Sequence, residues 1–262
     1  MSWLRLLEAH KREVSPMRIG ILGAGAIGSI LSDRLAAAGH DVGIANSRGP
    51  ETIDPAALRG GARAVEAVDA VQGVDVLILS VPLHRLPGLA PLVSQTPAGA
   101  IVIDTSNYYP HRDQRIASIE DGQVESVWAS EQIGRPVVKA WNAVGSGPLE
   151  AASADDRPAD RIAVPVAGDD AHGKSIAMDL VRTTGLEAVD AGPLAESWRQ
   201  QPGTPVYCTA RPAADIPALL EAADAAAAPR RRDIVMAAVQ ERIQSEGGVS
   251  ADYLTRLNRA VY

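Results

Sequence analysis

The sequence predicts an α/β fold, a doubly wound and mostly parallel Rossmann-type sheet with a small C-terminal helical extension. Apolar runs of strand length alternate along the 262-residue chain with stretches of helix length, the pattern of parallel strands joined by crossover helices. A three-glycine turn separates the first predicted strand from the first predicted helix. Hydrophobic residues make up 46% of the chain, which is enough for a globular core.

The first predicted strand, Arg18–Leu22, is a continuous apolar run rich in β-branched residues, as expected of a strand buried on both faces. The stretch Gly25–Ala38 then reads as a helix, with Gly39 in the position that ends helices. Asp41–Ala45 follows as the second strand. These three elements form a β-α-β unit of the kind that binds dinucleotides.

The remaining elements continue the alternation, and no repeat or low-complexity linker interrupts them. Further strands are predicted at Val76–Ser80, Ala100–Asp104, Val137–Trp141, Ile162–Ala167 and Glu187–Asp190. Further helices are predicted at Pro55–Gly60, Pro82–Ser94, His111–Ile119, Asp170–Thr184 and Pro229–Ser245. We therefore expect an N-terminal extension at residues 1–16, a Rossmann domain at residues 17–200, and a C-terminal extension at residues 201–262 packed on the same domain.

Composition narrows the possible partners. The net charge of −7 argues against a nucleic acid, because phosphate binding relies on Lys and Arg. The single cysteine, Cys208, excludes an internal disulfide and suits a cytoplasmic protein. No apolar run approaches the roughly 18–20 residues of a membrane span, and no Cys, His or Asp spacing predicts a metal site.

The segment Gly23-Ala24-Gly25-Ala26-Ile27-Gly28 is the strongest functional signal. In a dinucleotide-binding turn the first glycine permits the tight bend, the second lets the backbone approach the pyrophosphate, and the third lets the helix pack on the strand. The phosphates would lie at the helix N-terminus, beside Ala26 and Ile27. The alternative is a purely structural turn, but its position in the β-α-β unit favours cofactor binding.

The end of the second strand predicts which dinucleotide binds. NAD enzymes usually carry Asp or Glu about twenty residues after the motif, whereas this strand ends in Asn46, Ser47 and Arg48. Asp41 lies at the start of the strand, which is the wrong edge of the sheet. Since Arg48 can bind a 2′-phosphate and Ser47 can donate a hydrogen bond to it, we expect NADP(H). The alternative is that Arg48 is a solvated loop residue.

Several motifs in order resemble the F-420-dependent NADP oxidoreductase family. They are Ile19–Pro50, Val102–Pro110, Val137–Asn142, Val166–Asp170, Asp190–Trp198 and Gln201–Tyr207. The resemblance implies hydride exchange between NADPH and a deazaflavin, coenzyme F-420, in a homodimer with a single Rossmann-like domain. The loop Ser80–Leu83, with Ser80, Val81 and Pro82 as its expected cofactor-binding residues, resembles the family's cofactor-bordering loop. The alternative is that it is only a strand end interrupted by a proline.

The acceptor is expected at the carboxyl ends of the strands, where Thr105, Asn107, Trp141 and Asn142 form a predicted substrate pocket. Thr105 and Asn107 could instead cap a nearby helix, and Trp141 could be core packing. Hydride transfer to a flavin-like ring needs close stacking and not necessarily an acid or base, so no catalytic residue is assigned. Lys139 is equally consistent with a proton donor and with a structural ion pair.

The sequence therefore predicts an NADP(H)-dependent oxidoreductase whose partner is a small-molecule hydride acceptor, a deazaflavin or flavin. Two alternatives stay open. One is an NADPH-dependent reductase of a small carbonyl or imine substrate, and the other is a non-catalytic NADP(H)-sensing regulator.

Overall fold

A computed structural model describes residues 15–153 and 156–262. Most of the predicted extension at residues 1–16 lies outside the described residues. The strands, numbered in chain order, are β1 (Arg18–Leu22), β2 (Asp41–Ala45), β3 (Arg63–Ala64), β4 (Val76–Leu79), β5 (Ile101–Asp104), β6 (Val138–Lys139), β7 (Ala163–Val166) and β8 (Glu187–Asp190).

Six of these strands form one parallel sheet in the order β3-β2-β1-β4-β5-β6. The chain runs outward from β1 to β3 and then returns to β4 on the other side of β1. The point between β1 and β4 is therefore the topological switch point, where open α/β sheets bind ligands beyond the carboxyl ends of their strands. The predicted Rossmann-type fold is confirmed.

β7 and β8 form a second, parallel pair. It meets the main sheet through an antiparallel bridge between Lys139 and Ala167, with hydrogen bonds of 2.8 and 3.1 Å. β6 is shorter than the predicted Val137–Trp141 because Trp141 adopts a φ of 56°, which is incompatible with a strand.

The α-helices are α1 (Ala26–Ala37), α2 (Leu86–Val93), α3 (Pro110–Asp113), α4 (Ala117–Glu120), α5 (Glu125–Ile133), α6 (Ser146–Ala151), α7 (Ala171–Thr183), α8 (Ile216–Glu221), α9 (Ala228–Glu246) and α10 (Ala251–Val261). The helix predicted over His111–Ile119 is wrong in one respect. Gln114 has a φ of 63°, which ends α3 and separates it from α4. The segment predicted at Pro55–Gly60 is a 3₁₀ turn over Pro55–Leu58.

Two apolar cores cover the two faces of the sheet. One packs α1 and α7 against Ile21, Ile44 and Ile78. The other packs α2 and α5 against Leu77 and Leu79. Alternate residues of β4 therefore serve opposite cores, as expected of a strand buried on both faces.

The last helix packs on two earlier helices and on the loop at Thr209 and Ala210. α10 packs against α9 and α6, and Arg259 donates hydrogen bonds to the carbonyls of Thr209 (2.7 Å) and Ala210 (2.8 Å). Within residues 15–153 and 156–262, every helix is too short or too polar to cross a lipid bilayer.

Candidate functional site

The glycine turn between β1 and α1 has the geometry that its sequence predicts. Gly23 has a φ of 112°, and a Cβ there would lie 2.1 Å from the Ser80 carbonyl oxygen. A Cβ on Gly28 would lie 1.9 Å from the Gly23 carbonyl oxygen. Only glycine fits at these two positions, because the turn packs directly against the loop after β4 and against itself.

Gly25 differs from its neighbours, since a Cβ there would meet no heavy atom within 4 Å. Its backbone is extended (φ −82°), a conformation that any residue adopts, so neither the backbone nor the packing of the chain requires glycine here. Gly25 caps the N-terminus of α1 without a side-chain hydrogen bond, and the first turn carries no acidic residue. This exposed cradle of backbone N–H groups, extended by Ala26 and Ile27, suits a pyrophosphate.

The loop after β2 is held by its own side chains. The Asn46 carbonyl oxygen Oδ1 accepts a hydrogen bond from the Arg48 N–H at 2.8 Å, and Asn46 Nδ2 donates to Thr52 Oγ1 at 2.9 Å. Ser47 and Arg48 are exposed. Among the described residues, nothing forms an ion pair or side-chain hydrogen bond with the Arg48 guanidinium, so it is available to an anion.

The carboxylate of Glu51 also lies beside this loop. A Cβ on Gly49 would lie 2.6 Å from both carboxylate oxygens of Glu51, so Glu51 folds back beside the residue after Arg48. Asp41 is at the opposite edge, as predicted, and pairs there with Arg63 at 2.6 Å. The loop therefore presents Arg48 and Glu51 together, and the choice between a 2′-phosphate and a 2′-hydroxyl depends on which of them faces the ribose.

The loop Ser80-Val81-Pro82 lies at the switch point. The Ser80 N–H donates to the Leu22 carbonyl at 2.8 Å, which joins the ends of β4 and β1. Its carbonyl oxygen contacts the glycine turn, as the Gly23 geometry shows. The structure thus brings this loop and the predicted pyrophosphate site together.

A hydrogen-bonded polar network lies at the ends of β5 and β6. Asn107 and Asn142 exchange two hydrogen bonds, of 3.0 and 3.1 Å, and Gln200 Nε2 donates to Asn142 Oδ1 at 2.8 Å. Thr105 Oγ1 donates to the Leu79 carbonyl at 3.2 Å. Gln200 is fully buried, and its Oε1 has no hydrogen-bond partner among the described residues.

Three of the four predicted pocket residues therefore belong to one edge, while the structure places the fourth elsewhere. The Trp141 side chain is buried in the core, where its indole N–H donates to Thr184 Oγ1 at 3.1 Å. Gln200 was missed because it stands far along the chain, and no local pattern distinguishes it from a surface glutamine.

Lys139 forms a buried ion pair. Its ammonium nitrogen lies 2.7 Å from Asp104 Oδ2, both side chains are inaccessible to solvent, and the ammonium also donates to the Ser106 carbonyl. The structural alternative stated for Lys139 agrees with this geometry. A proton lost from this ammonium would leave Asp104 buried without its partner.

A cleft of about 450 Å³ opens beside this edge. It is bordered by Tyr108, the N-terminus of α5, Trp198 and the first turn of α9. Glu125, in its wall, accepts a hydrogen bond from the Tyr108 N–H at 2.9 Å, and burial raises the pKa of this carboxyl to about 7.

The chain matches a family model described as NADP oxidoreductase, coenzyme F420-dependent, over residues 18–108. It is 33% identical to the hypothetical protein SMa0349 of Sinorhizobium meliloti, over 75% of this chain and 95% of that one, with a TM-score of 0.61. A protein of Arthrobacter sp. FB24 that is named as an F420-dependent NADP-reductase is 20% identical, over 69% of this chain and 87% of that one, with a TM-score of 0.54.

A second sequence match is short. The Escherichia coli K12 protein YjhV is 54% identical over 48 residues, which are 18% of this chain and 35% of YjhV. This chain therefore matches about a third of the length of that relative.

Proposed function

The chain belongs to the F420-dependent NADP oxidoreductase family, and on that premise we propose that it passes hydride between NADP(H) and a deazaflavin or flavin acceptor. The observation that carries the proposal is the cradle at Gly25. It is the one position of the glycine turn where the chain has room for a side chain and has none. A pyrophosphate over the N-terminus of α1 accounts for that glycine.

NADP(H) is preferred over NAD(H) in this proposal. Arg48 is exposed at the tip of β2 and is free of protein partners among the described residues, as a group that binds a 2′-phosphate should be. The Asn46 side chain fixes the backbone that presents it. The family description, which names NADP, supports the same choice.

The reduced nicotinamide supplies the hydride, and the residues of this chain bind and orient it. The loop Ser80-Val81-Pro82 closes the switch point beside the glycine turn, where the nicotinamide half of the cofactor would pass. Asn107, Asn142 and Gln200 hold one another in a rigid network at the same edge. Such preorganisation matters because a displacement of about 1 Å can cost on the order of a hundredfold in rate.

In the carbonyl or imine reductase alternative, Lys139 was the candidate proton donor, and its position in the structure does not suit that role. That alternative needs a proton donor facing the substrate, whereas the Lys139 ammonium is buried and engaged with Asp104. We therefore favour a planar acceptor, to which hydride passes by stacking.

The test is oxidation of NADPH by a panel of acceptors: coenzyme F420, FMN, FAD and a simple ketone. Loss of the near-ultraviolet absorbance of NADPH is followed for the wild type and for Gly25→Val. We expect turnover with F420 or a flavin, and none in Gly25→Val, since the branched side chain occupies the place of the pyrophosphate.

Gly99→Val is the matched control, because Gly99 has the same open surroundings and lies away from the turn. It should behave as the wild type. Turnover with the ketone alone would contradict the proposed acceptor class, and full activity in a folded Gly25→Val variant would contradict the placement of the cofactor.

A further inference from the structure

A histidine and a buried aspartate join two loops at the carboxyl edge of the sheet. His84 lies in the 3₁₀ turn Leu83–Arg85, two residues after Pro82 of the predicted cofactor-binding loop. Asp113 is the last residue of α3, which follows β5. The His84 ring nitrogen Nδ1 lies 2.7 Å from Asp113 Oδ1. The pair therefore connects the segment after β4 with the segment after β5, beside the switch point.

The carboxylate determines which ring nitrogen of His84 carries the proton. Burial alone would raise the pKa of Asp113, but hydrogen bonds from Arg112 and His84 hold this pKa below its ordinary value, so Asp113 is ionised. An ionised carboxylate only accepts hydrogen bonds, and the proton of the neutral imidazole is therefore on Nδ1. Nε2 is left as the nitrogen that gains and loses a proton.

Nε2 is also the open end of the ring. It has no hydrogen-bond partner within residues 15–153 and 156–262, and it is not sealed from solvent. The Asp113 side chain is inaccessible, whereas 31% of the His84 side chain is exposed. Nε2 can therefore exchange a proton with water or with a ligand while Nδ1 stays bound to Asp113.

The other charged groups leave His84 free to change its protonation state. Arg112 donates from Nε and Nη2 to the two carboxylate oxygens of Asp113, at 3.1 and 2.8 Å, and the Tyr109 N–H donates to the same carboxylate at 2.9 Å. Arg85, on the turn of His84, is exposed. Since Arg112 already balances the charge of Asp113, a protonated imidazole is not needed as the counterion of a buried carboxylate.

The same group of side chains is attached to the predicted substrate pocket. Arg112, bound to Asp113, also donates to the Asn107 carbonyl at 2.6 Å. Asn107 exchanges hydrogen bonds with Asn142 at the end of β6. His84 is therefore held on the hydrogen-bonded network that borders the acceptor side of the switch point.

The proposed reaction needs a proton in addition to the hydride. Hydride transfer breaks a C–H bond of NADPH and delivers a hydrogen with both electrons to a neutral acceptor, which becomes an anion. One proton must bind that anion, so that NADPH, the acceptor and H⁺ give NADP⁺ and the acceptor reduced by two electrons. A donor beside the nicotinamide neutralises this charge where it forms.

We propose that His84 supplies this proton from Nε2. The Nε2–H bond breaks as the new bond to the acceptor anion forms, and water then returns a proton to Nε2, while Asp113 keeps Nδ1 protonated and the ring in place. The inference rests on the proposed function and deepens it by adding a catalytic residue. Because a planar ring and a carbonyl both take up this proton, His84 can serve either, and the acceptor panel decides between them.

The first measurement needs neither cofactor nor turnover. In protein labelled with nitrogen-15 in its histidines, the signals of His84 are those that His84→Asn lacks, and two-dimensional NMR identifies the protonated ring nitrogen. We expect the neutral ring to carry its proton on Nδ1, and Nε2 to gain a proton as the pH is lowered. A neutral ring protonated on Nε2, or a ring that does not titrate while the protein is folded, would overturn the proposal.

The second measurement is turnover with whichever acceptor the wild type reduces. His84→Asn keeps an N–H in the place of Nδ1 and lacks Nε2, so we expect kcat to fall about a hundredfold or more, the contribution of a general acid. The dissociation constant of NADP⁺ should be unchanged. A kcat close to that of the wild type, or a loss explained by weaker NADP⁺ binding, would show that His84 does not donate the proton.

His172→Asn is the matched control. His172 is exposed, and a Cβ on the next residue, Gly173, would lie 3.5 Å from the side chain of Ile101, the first residue of β5. His172 is therefore near the amino end of the sheet, away from the proposed site, and its variant should turn over as the wild type does.

Rescue of His84→Ala separates proton transfer from packing. We expect imidazole to restore kcat in proportion to its concentration at constant pH, and pyrazole, which has the same shape and is a much weaker base, to have no effect. Rescue by both compounds, or by neither, would assign His84 a structural role. If the wild type oxidises NADPH with no acceptor of the panel, the proposed function itself fails.

Discussion

Arg48 and Glu51 stand three residues apart in the loop after β2 and carry opposite charges. The backbone between them is fixed by Asn46 and Thr52. A 2′-phosphate would be attracted to Arg48 and repelled by Glu51, whereas a 2′-hydroxyl could donate to Glu51. Cofactor preference is therefore decided by individual side chains.

Replacing Arg48 with Ala should weaken NADPH binding by about 1.5–3 kcal/mol and leave NADH binding nearly unchanged. Dissociation constants from isothermal titration calorimetry give both values. Glu51→Gln is the companion variant and should not weaken NADPH. Equal losses of both cofactors in Arg48→Ala would show that Arg48 does not bind the 2′-phosphate. A selective loss of NADH in Glu51→Gln would show that Glu51 binds the ribose instead.

The ion pair between Lys139 and Asp104 gives a second prediction for a single residue. Lys139→Ala should lower the free energy of unfolding by about 3–5 kcal/mol, because it leaves Asp104 buried without its partner. Lys174→Ala is the control, since its ion pair with the half-exposed Asp190 should contribute only about 0–1 kcal/mol. Urea denaturation of both variants measures the contrast. Similar decreases in the free energy of unfolding of the two variants would mean that the burial of the Lys139–Asp104 pair does not determine how much Lys139→Ala destabilises the protein.

Helix α7 illustrates how single elements begin. Its N-cap is Asp170, whose carboxylate accepts the N–H of Gly173 at 2.7 Å. The preceding residue, Asp169, instead accepts the Leu194 N–H at 2.9 Å. Either residue satisfies the capping pattern in the sequence, and only the path of the chain decides between them.

Replacing each of these two aspartates should accelerate hydrogen exchange at a different backbone amide. Asp170→Ala should destabilise α7 by about 1 kcal/mol and accelerate exchange of the Gly173 amide. Asp169→Ala should accelerate exchange of the Leu194 amide and leave the first turn of α7 protected. The same pattern of exchange in both variants would show that neither contact acts locally.

Elements with strong local signals were predictable from the sequence, and those that depend on distant contacts were not. β1, β2 and α1 appear where the apolar runs and Gly39 place them. The two-residue strand Arg63–Ala64 has no apolar run of its own and exists only by pairing with β2. α10 is capped by Ser250, whose hydroxyl accepts the Tyr253 N–H at 3.2 Å, a capping signal that the sequence does contain.

The same division holds for the candidate site. The glycine turn and Arg48 are local features of one β-α-β unit, so they could be read directly. Gln200, Glu125 and Arg232 meet the strand ends only through the tertiary fold. No spacing in the sequence predicts that Glu125 and Arg232 are buried and border the same cleft. A homodimer and a cytoplasmic location stay predictions of the sequence.

At the scale of the whole molecule, Glu125 couples global stability to pH. Burial raises the pKa of this carboxyl from 4.5 to about 7 in the folded state. The folded protein therefore binds the proton more tightly than the unfolded chain. The stability that this group contributes is complete below pH 4.5 and is lost as the pH rises through about 7.

Urea denaturation of the wild type and of Glu125→Gln, at pH values on either side of this window, checks that sign. The wild-type free energy of unfolding, taken relative to the variant, should fall by up to about 3 kcal/mol as the pH rises. Other titrating groups are common to both proteins and cancel in the difference. A difference that stays constant with pH would mean that Glu125 ionises in the folded state as an exposed carboxyl does.

The central claim is that this protein passes hydride from NADPH directly to a planar acceptor. A single-turnover reaction with NADPH deuterated at the transferable position of the nicotinamide tests it most directly, with oxidised F420 and FMN as acceptors. The account predicts deuterium bound to carbon in reduced F420, and with both acceptors a slower loss of NADPH absorbance than with the unlabelled cofactor. Reduced FMN would not keep the label, because it carries the transferred hydrogen on a nitrogen that exchanges with water. Tight NADPH binding without oxidation by either acceptor would contradict the account and favour a non-catalytic NADP(H)-sensing protein.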